Sequence, residues 1–392
     1  MRTRLPEPSV HFRHLPSGER LDTIWHLLEQ GLWKGLDPEV HEYNTQKGVL
    51  KQDVWRPVLP GIVPVHAGMT WSAERQVAFM ERFKPTAKQV GMREVLSAAE
   101  AFFARFGNRR IGVHLSGGLD SSIAIALLRH LGIPFHLVGM TSERYEFRTE
   151  RHIQIVLAEW GEQVKLLNYE EHLPLSGLEH VPPHQQPDLY NLNYAANKAM
   201  AEACERMGIE VLLTGNGGDN VFAEALPKDP ADCPWMPAVF IDGWLDDLAY
   251  APCGVEVVPF YADPGLLNAF WNLRAGHEED NAKLWARRFF RELLPKELAD
   301  YTYCADFWGL YVDGLHQAKP MVQGLFQEAH ALTAHPSFAP EAYKVLFGQD
   351  LLLAQKAMYQ RIEARISMAV WLNALQRDLG SVLVQADQME RA

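Results

Sequence analysis

From Ile111 onward, short apolar runs alternate with helical stretches, and two of the runs end in glycine-rich turns that carry an aspartate. That rhythm leaves few folds open. Ile111–Leu115, Phe135–Met140, Val164–Leu167 and Val211–Leu213 have the length and apolar character of buried strands. Between them, Ser121–Leu131, residues 149–161 and Asn193–Met207 read as helices, the first stopped by Gly132 and Pro134 and the last closed by Gly208. Strands separated by helices pair in parallel, and right-handed crossovers lay the helices over the sheet. The expectation is an α/β fold: a parallel twisted sheet with helices on both faces.

The flanking chain reads differently. The first seventy or so residues are rich in turn-formers, with one short helix expected near Leu21–Leu32. Val54–Val65 (VWRPVLPGIVPV) suggests short edge strands and turns, because proline removes a ladder donor. Residues 73–105 read as helical, with Glu94, Ser97, Ala98, Ala101 and Phe102 spaced so that the small and apolar ones share a face. Beyond about residue 265 helix is expected throughout, most clearly at Trp285–Leu294 and Gln349–Leu379. With 392 residues, two domains are expected. The divisions are a short N-terminal region, 1–72, a central domain, 73–316, and a helical C-terminal extension, 317–392.

Charge and cysteine usage narrow the partners. Lys plus Arg number 37 and Asp plus Glu 49, giving a net charge of −12, which disfavours broad nucleic-acid binding. Arg287, Arg288 and Arg291 form a local basic exception. Cys204, Cys233, Cys253 and Cys304 make no CxxC pair, so neither a zinc site nor a disulfide framework is suggested. The start, MRTRLPEPSV, lacks the apolar core of a signal peptide, and no run approaches the roughly 18 apolar residues a membrane span needs. A soluble, cytoplasmic protein with no membrane partner is the expectation.

The first glycine-rich turn, VHLSGGLDSS, lies between a strand and a helix. Ligands bind at the carboxyl ends of strands in such sheets. Gly117 and Gly118 let the backbone approach an anion closely, the following helix offers free N–H groups, and Ser116, Ser121 and Ser122 add hydroxyls. An aspartate beside an anion site is a conflict unless a cation is shared; a magnesium ion between Asp120 and a pyrophosphate resolves it. A capped helix start would explain Ser and Asp alone, but not the full string in this context. The second turn, LLTGNGGDNVFAE, supplies another aspartate, Asp219, at the end of a later strand. Two carboxylates on separate loops can hold magnesium against a triphosphate.

SGGLDSS resembles the signature of the N-type ATP pyrophosphatases, and the second turn resembles the LSGEGADELFGG stretch of asparagine synthetases. There is no Walker P-loop. The resemblance covers residues 50–310 and extends to VWRPVLPGIV, NYAANKAMAEACERMG, VEVVPFYAD and KLWARRFFRELLPKEL. It implies an adenine nucleotide alpha-hydrolase-like fold and an ATP-dependent ligase that forms an amide through an acyl-adenylate, releasing AMP and pyrophosphate. It implies ATP bound by Leu115, Ser116, Gly117, Gly118, Leu119, Asp120, Ser121 and Ser122, by Val138, Gly139 and Met140, and by Gly215, Gly217 and Gly218. Mg2+ would sit on Asp120 and Asp219.

Departures from the family pattern shape the expected chemistry. Asn216 stands where asparagine synthetases carry Glu and β-lactam synthetases Tyr, and an amide is no general base at neutral pH. Cys304, before Phe307, stands where the family places a lysine that stabilises acyl transfer, which leaves Lys296, Arg291 or Lys319 as substitutes. Met1 is followed by Arg2 rather than Cys, so no glutaminase is expected. Asp120, Asp219, Asn216 and Cys304 are thus the catalytic candidates. The substrates expected are a small-molecule or peptide carboxylate and an amine, in a natural-product role such as the macrolactam formation of lasso-peptide cyclases, with a leader-binding or protease partner. The alternatives are an ammonia-dependent amidation, a non-catalytic nucleotide-binding protein and a tRNA-modifying enzyme. His114 reads as a packed residue and His180 and His184 as a surface loop. Asp242, Asp246 and Asp247 read as a solvated acidic face, and Trp271, Trp285, Phe289 and Phe290 as helix packing.

Overall fold

A computed structural model describes residues 10–21, 61–66, 69–74, 77–80, 90–184, 187, 190–222, 247–274, 283–301, 307–333, 338–339 and 362–377. The chain forms two compact units. One gathers Met1–Glu81, Pro174–Tyr194 and Val312–Ala392, so the two ends, read from the sequence as separate pieces, fold together. The other comprises Arg82–Leu173 and Ala195–Tyr311.

In the first unit, β1 (Val10–His14) pairs antiparallel with β2 (Arg20–Leu21) and β3 (Ile62–His66). β3 lies at an edge of that sheet, as a strand carrying Pro64 should. β4 (Met69–Ser72) pairs with β5 (Val77–Met80). The helical expectation for residues 73–105 therefore fails at VAFM, where the partner strand decides the local conformation. Leu21 opens no helix but ends β2, and residues 22–32 fall outside the described residues. Leu21 and Ile62 share a core with Leu315, Val322 and Phe326 and with Ile366, Ala369 and Trp371 of helix 362–377.

The second unit opens with α1 (Met92–Ala104). Its buried stripe is Val95, Ala99, Phe102 and Phe103, not the small-residue face read from the sequence: Glu94, Ser97 and Ala101 are exposed. The large rings decide the face, since burying an aromatic side chain outweighs burying serine and alanine. Phe102 meets Phe106 and Phe260 edge-to-face at 5.2 and 5.4 Å between centroids.

The sheet follows in the expected rhythm. β6 (Ile111–His114), α2 (Leu119–His130), β7 (His136–Thr141), α3 (Arg148–Ala158), β8 (Val164–Asn168), α4 (Tyr194–Arg206), β9 (Val211–Thr214), α5 (Gly218–Phe222), α6 (Asp247–Tyr250) and β10 (Glu256–Pro259) come in that order. The strand order is β10-β9-β6-β7-β8, all parallel. The chain steps from β6 out to β8, then jumps back across β6 to β9 and β10. Right-handed connections therefore place α2 and α3 on one face and α4 on the other. α2 is apolar on every side and is buried along Leu119–Leu128 except at Asp120. After β10 come α7 (Pro264–Arg274), α8 (Leu284–Phe289), α9 (Lys296–Ala299) and α10 (Trp308–Thr333). Among the described residues, no helix is long and apolar enough to cross a membrane.

The first unit contains a histidine read from the sequence as part of a surface loop. His184 is instead 7% exposed, with Nδ1 2.9 Å from Pro182 O and Nε2 3.0 Å from Asn191 Nδ2. Nδ1–H donates to the carbonyl and the Nε2 lone pair accepts from the amide, so a second ring proton would oppose a donor. Burial pushes this imidazole down to about 4, the nearby Arg377 acting in the same direction while the Pro182 carbonyl opposes it. A neutral buried histidine with a lowered value stabilises the fold above the unfolded histidine value of about 6.5, and this contribution is lost as pH falls toward 4. The acid limb of thermal stability should thus steepen below about pH 6.5, by at most about 1.4 kcal/mol per pH unit from this residue. His184→Gln should flatten that limb in a pH series of melting curves; an unchanged slope would show that the residue does not titrate on unfolding.

Candidate active site

The strand order reverses beside β6, whose neighbours are β7 on one side and β9 on the other. The loops leaving β6 and β9 thus open side by side at the carboxyl edge of the sheet, where an α/β sheet leaves a crevice. These are the two glycine-rich turns.

The first is tightened by its own serines. Gly118 N–H donates to Ser116 Oγ at 3.2 Å, the Ser116 and Ser121 hydroxyls lie 2.8 Å apart, and Ser122 Oγ donates to Gly118 O at 2.6 Å. Gly117 has φ +81°, and a Cβ there would lie 2.5 Å from Glu150 O, so only glycine fits. Gly118 is the N-cap of α2 and has no side chain to satisfy the first-turn donors, which leaves that end suited to an anion. Leu115 and Leu119 are buried in the core and can offer a ligand only their backbone. Val138, Gly139 and Met140 run alongside in β7. Leu115 N–H donates to Val138 O at 2.7 Å, and the buried Gln154 amide bonds both Leu115 O and Met140 O, at 3.0 and 2.7 Å. That side chain from α3 ties the ends of β6 and β7 together.

The second turn closes on the first. Gly218 N–H donates to Gly215 O at 3.1 Å, and a Cβ at Gly218 would overlap the Asp120 carboxyl carbon. Gly215 also packs closely on the start of α2, with Ser121 N 2.9 Å from where its Cβ would stand. Gly217 and the half-buried Asn216 complete the bend, and α5 then presents Asp219.

A lysine joins the two aspartates. Lys283 Nζ is 2.7 Å from both carboxylate oxygens of Asp120 and 2.6 Å from Asp219 Oδ1. Asp120 and Lys283 keep only 17% and 15% of their side-chain surface, whereas Asp219 keeps 83%. Burial pushes the Asp120 carboxyl above the usual carboxylate range, and Asp219 adds to this, while Lys283 and Arg287 oppose it. Burial by itself would lower Lys283, but the two carboxylates more than offset it, so the ammonium stays charged beyond the ordinary lysine range.

Packing explains how Lys283 arrives there. It precedes α8 in the left-handed region, φ +60°, a conformation uncommon outside glycine. One step into the helix, Trp285 is 2% exposed, donates from Nε1 to Phe222 O at 3.2 Å and meets the Phe222 ring at 5.5 Å. Phe222 ends α5, the helix that carries Asp219. One aromatic contact therefore places both Lys283 and Asp219. Tyr261 packs on Phe222 at 5.1 Å and donates its O–H to Asp120 O at 2.8 Å. Its phenol, buried and facing two carboxylates, is held well above its ordinary value and remains a donor. Arg287, one turn after Lys283, donates to Leu298 O at 2.5 Å.

From the sequence Lys283 is no candidate site residue: KLWAR looks like the start of one more helix, and no local signal there marks a cation for Asp120. Arg291 pairs instead with Asp300 at 2.8 Å, and Lys296 opens α9; among the described residues neither appears as a partner of Asp120 or Asp219. Lys319 belongs to the first unit. Cys304, Asp242 and Asp246 lie outside the described residues. Trp271, Trp285 and Phe290 are buried in the core, with Phe289 half-buried against it, as packing residues should be. His114 is likewise packed, its imidazole pushed down to about 4 by burial.

The residues suit a magnesium–nucleotide complex. Lys283 is a stand-in cation already seated against three carboxylate oxygens. No cluster of three or more His, Cys, Asp or Glu suited to a metal occurs among the described residues. Magnesium is commonly held by one or two carboxylates, with substrate phosphates and water completing its shell.

The family model described as Asparagine synthase matches residues 93–238, which include both turns, and this segment is asparagine synthetase-like. Amidase chyE of Penicillium rubens is 29% identical over an alignment covering 29% of this chain and 19% of that protein. The match thus spans about a fifth of the relative's length. The structure of NMN synthetase from Francisella tularensis gives a TM-score of 0.31 at 12% identity, covering 71% of this chain and 92% of that one, a likeness too low to bear on the fold. The fold stands on its own strand order.

Gly218→Ala tests how tightly the turns interlock. The added methyl would meet the Asp120 carboxyl, with an expected loss of about 1–3 kcal/mol in urea unfolding. A neutral result would mean that the turns can separate freely.

Proposed function

We propose that this asparagine synthetase-like chain is an ATP-dependent ligase that activates a carboxylate as its acyl-adenylate and passes the acyl group to an amine. One observation carries the reading: two aspartates on separate loops at the sheet's reversal point converge on a single cation. The family match over residues 93–238 supports it, and the amide chemistry in the name of the Penicillium relative accords with it.

The Ser116–Ser122 loop offers backbone N–H groups and hydroxyls to the phosphates. Asp120 and Asp219 would hold magnesium. When bound, that ion neutralises charge gathering on the leaving pyrophosphate. The substrate carboxylate attacks the α-phosphorus and pyrophosphate departs; the amine then attacks the acyl carbon and AMP departs. Lys283 brings a fixed positive charge to the same crevice, and Tyr261 holds the backbone of Asp120 in place. Asn216 can orient a polar group by hydrogen bonds but takes no proton near neutrality, so the proton of the attacking amine passes to another acceptor. We propose further that the carboxylate and amine belong to a peptide or other natural-product substrate and close a macrolactam.

The test is isotope exchange between pyrophosphate and ATP with magnesium, across a panel of amino-acid and peptide carboxylates. Exchange that requires a carboxylate and falls at least about 100-fold in Asp120→Ala is the expected outcome. ATP binding without exchange for any carboxylate would overturn the adenylation reading.

A further inference from the structure

We infer that Lys283 is a built-in placeholder for the metal, so that this site excludes a free divalent cation and admits one only together with a polyphosphate. The inference rests on the reading of Asp120 and Asp219 as the metal carboxylates. The ammonium lies 2.6–2.7 Å from three carboxylate oxygens, at the point where the two aspartates meet. A metal held by both aspartates would need that seat.

Charge decides what can take it. Two carboxylates and one ammonium leave the cluster with a net charge of −1. A dication that enters alone must either sit against the ammonium, where like charges repel strongly at short range, or push a half-buried ammonium away from its two partners. Neither path is compensated, because among the described residues no third carboxylate, histidine or cysteine stands ready to complete a metal shell. A metal bound to a nucleotide brings its own oxygen ligands and negative charge. The displaced ammonium then finds phosphate oxygens within the same crevice and exchanges one set of anions for another.

The frame allows this exchange without unfolding. Trp285 and Arg287 anchor α8 through Phe222 O and Leu298 O, so the helix stays while the flexible lysine stem swings. The strained φ of +60° at Lys283 fits a residue whose backbone is held to deliver its side chain to this one point.

The probe is Mn2+, titrated without nucleotide and followed by the electron spin resonance of the free ion, on the full chain, on Lys283→Met and on Lys283→Met/Asp120→Asn, each checked for folding by circular dichroism. Wild-type protein should bind Mn2+ weakly, Lys283→Met at least about tenfold more tightly, and the double variant should lose the gain. In wild-type protein a non-hydrolysable ATP analogue should raise Mn2+ binding well above the analogue's own affinity for the ion. Tight binding of free Mn2+ by wild-type protein overturns the placeholder role without reference to any variant, as does an unchanged affinity in a folded Lys283→Met protein. A gain that survives in the double variant places the metal away from Asp120, and it is then the metal-carboxylate reading itself that fails.

Discussion

The contact of Lys283 with Asp120 and Asp219 is the interaction around which this site is organised. A carboxylate with 17% of its side-chain surface left would be costly to keep ionised without a partner. The same desolvation that makes Asp120 hard to ionise alone makes the ammonium beside it valuable, because charges interact more strongly where water is scarce. Removing either partner would leave an uncompensated charge, so the three groups behave as a unit.

Three kinds of structure bring that unit together. The reversal of strand order beside β6 sets the loops of Asp120 and Asp219 side by side. Glycine at 218 lets the second loop close onto the Asp120 carboxyl, where any side chain would intrude. An aromatic cluster of Phe222, Tyr261, Phe270 and Trp285 lies behind the loops, with centroid separations of 5.1–5.5 Å for the Phe222 pairs. Such edge-to-face pairs contribute about 0.5–1.5 kcal/mol each beyond their buried area. The cluster links the helix of Asp219 to the helix of Lys283, so stability and site geometry come from the same packing. Local rules give way where the charges meet. Lysine takes a left-handed backbone at a helix start, and aspartate interrupts the buried length of α2.

A crevice with two carboxylates, an ammonium and many backbone donors is suited to a ligand that carries both signs of charge. A metal–polyphosphate complex has that character, with phosphate oxygens for the lysine and the α2 N-terminus and a dication for the aspartates. The first unit contributes a different kind of polar chemistry. His184 and Asn191 are buried and paired there, and Trp371 donates to His184 O at 3.0 Å, an arrangement that fixes a core.

Four of the sheet's five strands were legible in the sequence because each is a short apolar run with glycine or proline close by, and local pattern suffices for that; β10 lay in VEVVPFYAD, which stood out only by its family resemblance. The strand and helix bounds read for residues 111–214 agree with the structure to within three residues, the largest difference being at the end of α3, read to 161 and ending at Ala158. Both aspartates and both loops were legible for the same reason, since the residues that shape each turn are neighbours in the chain. What local pattern could not supply was pairing at a distance. VAFM became a strand because Met69–Ser72 lies beside it, and α1 turned its phenylalanines inward because Phe260 waits there. Lys283, 163 residues from Asp120, looked like one more helix residue. The sequence by itself determined an α/β sheet with two anion-suited turns and their carboxylates. Only the tertiary structure decided which cation meets them, because that depends on the packing of Trp285 against Phe222, a contact between side chains 63 residues apart.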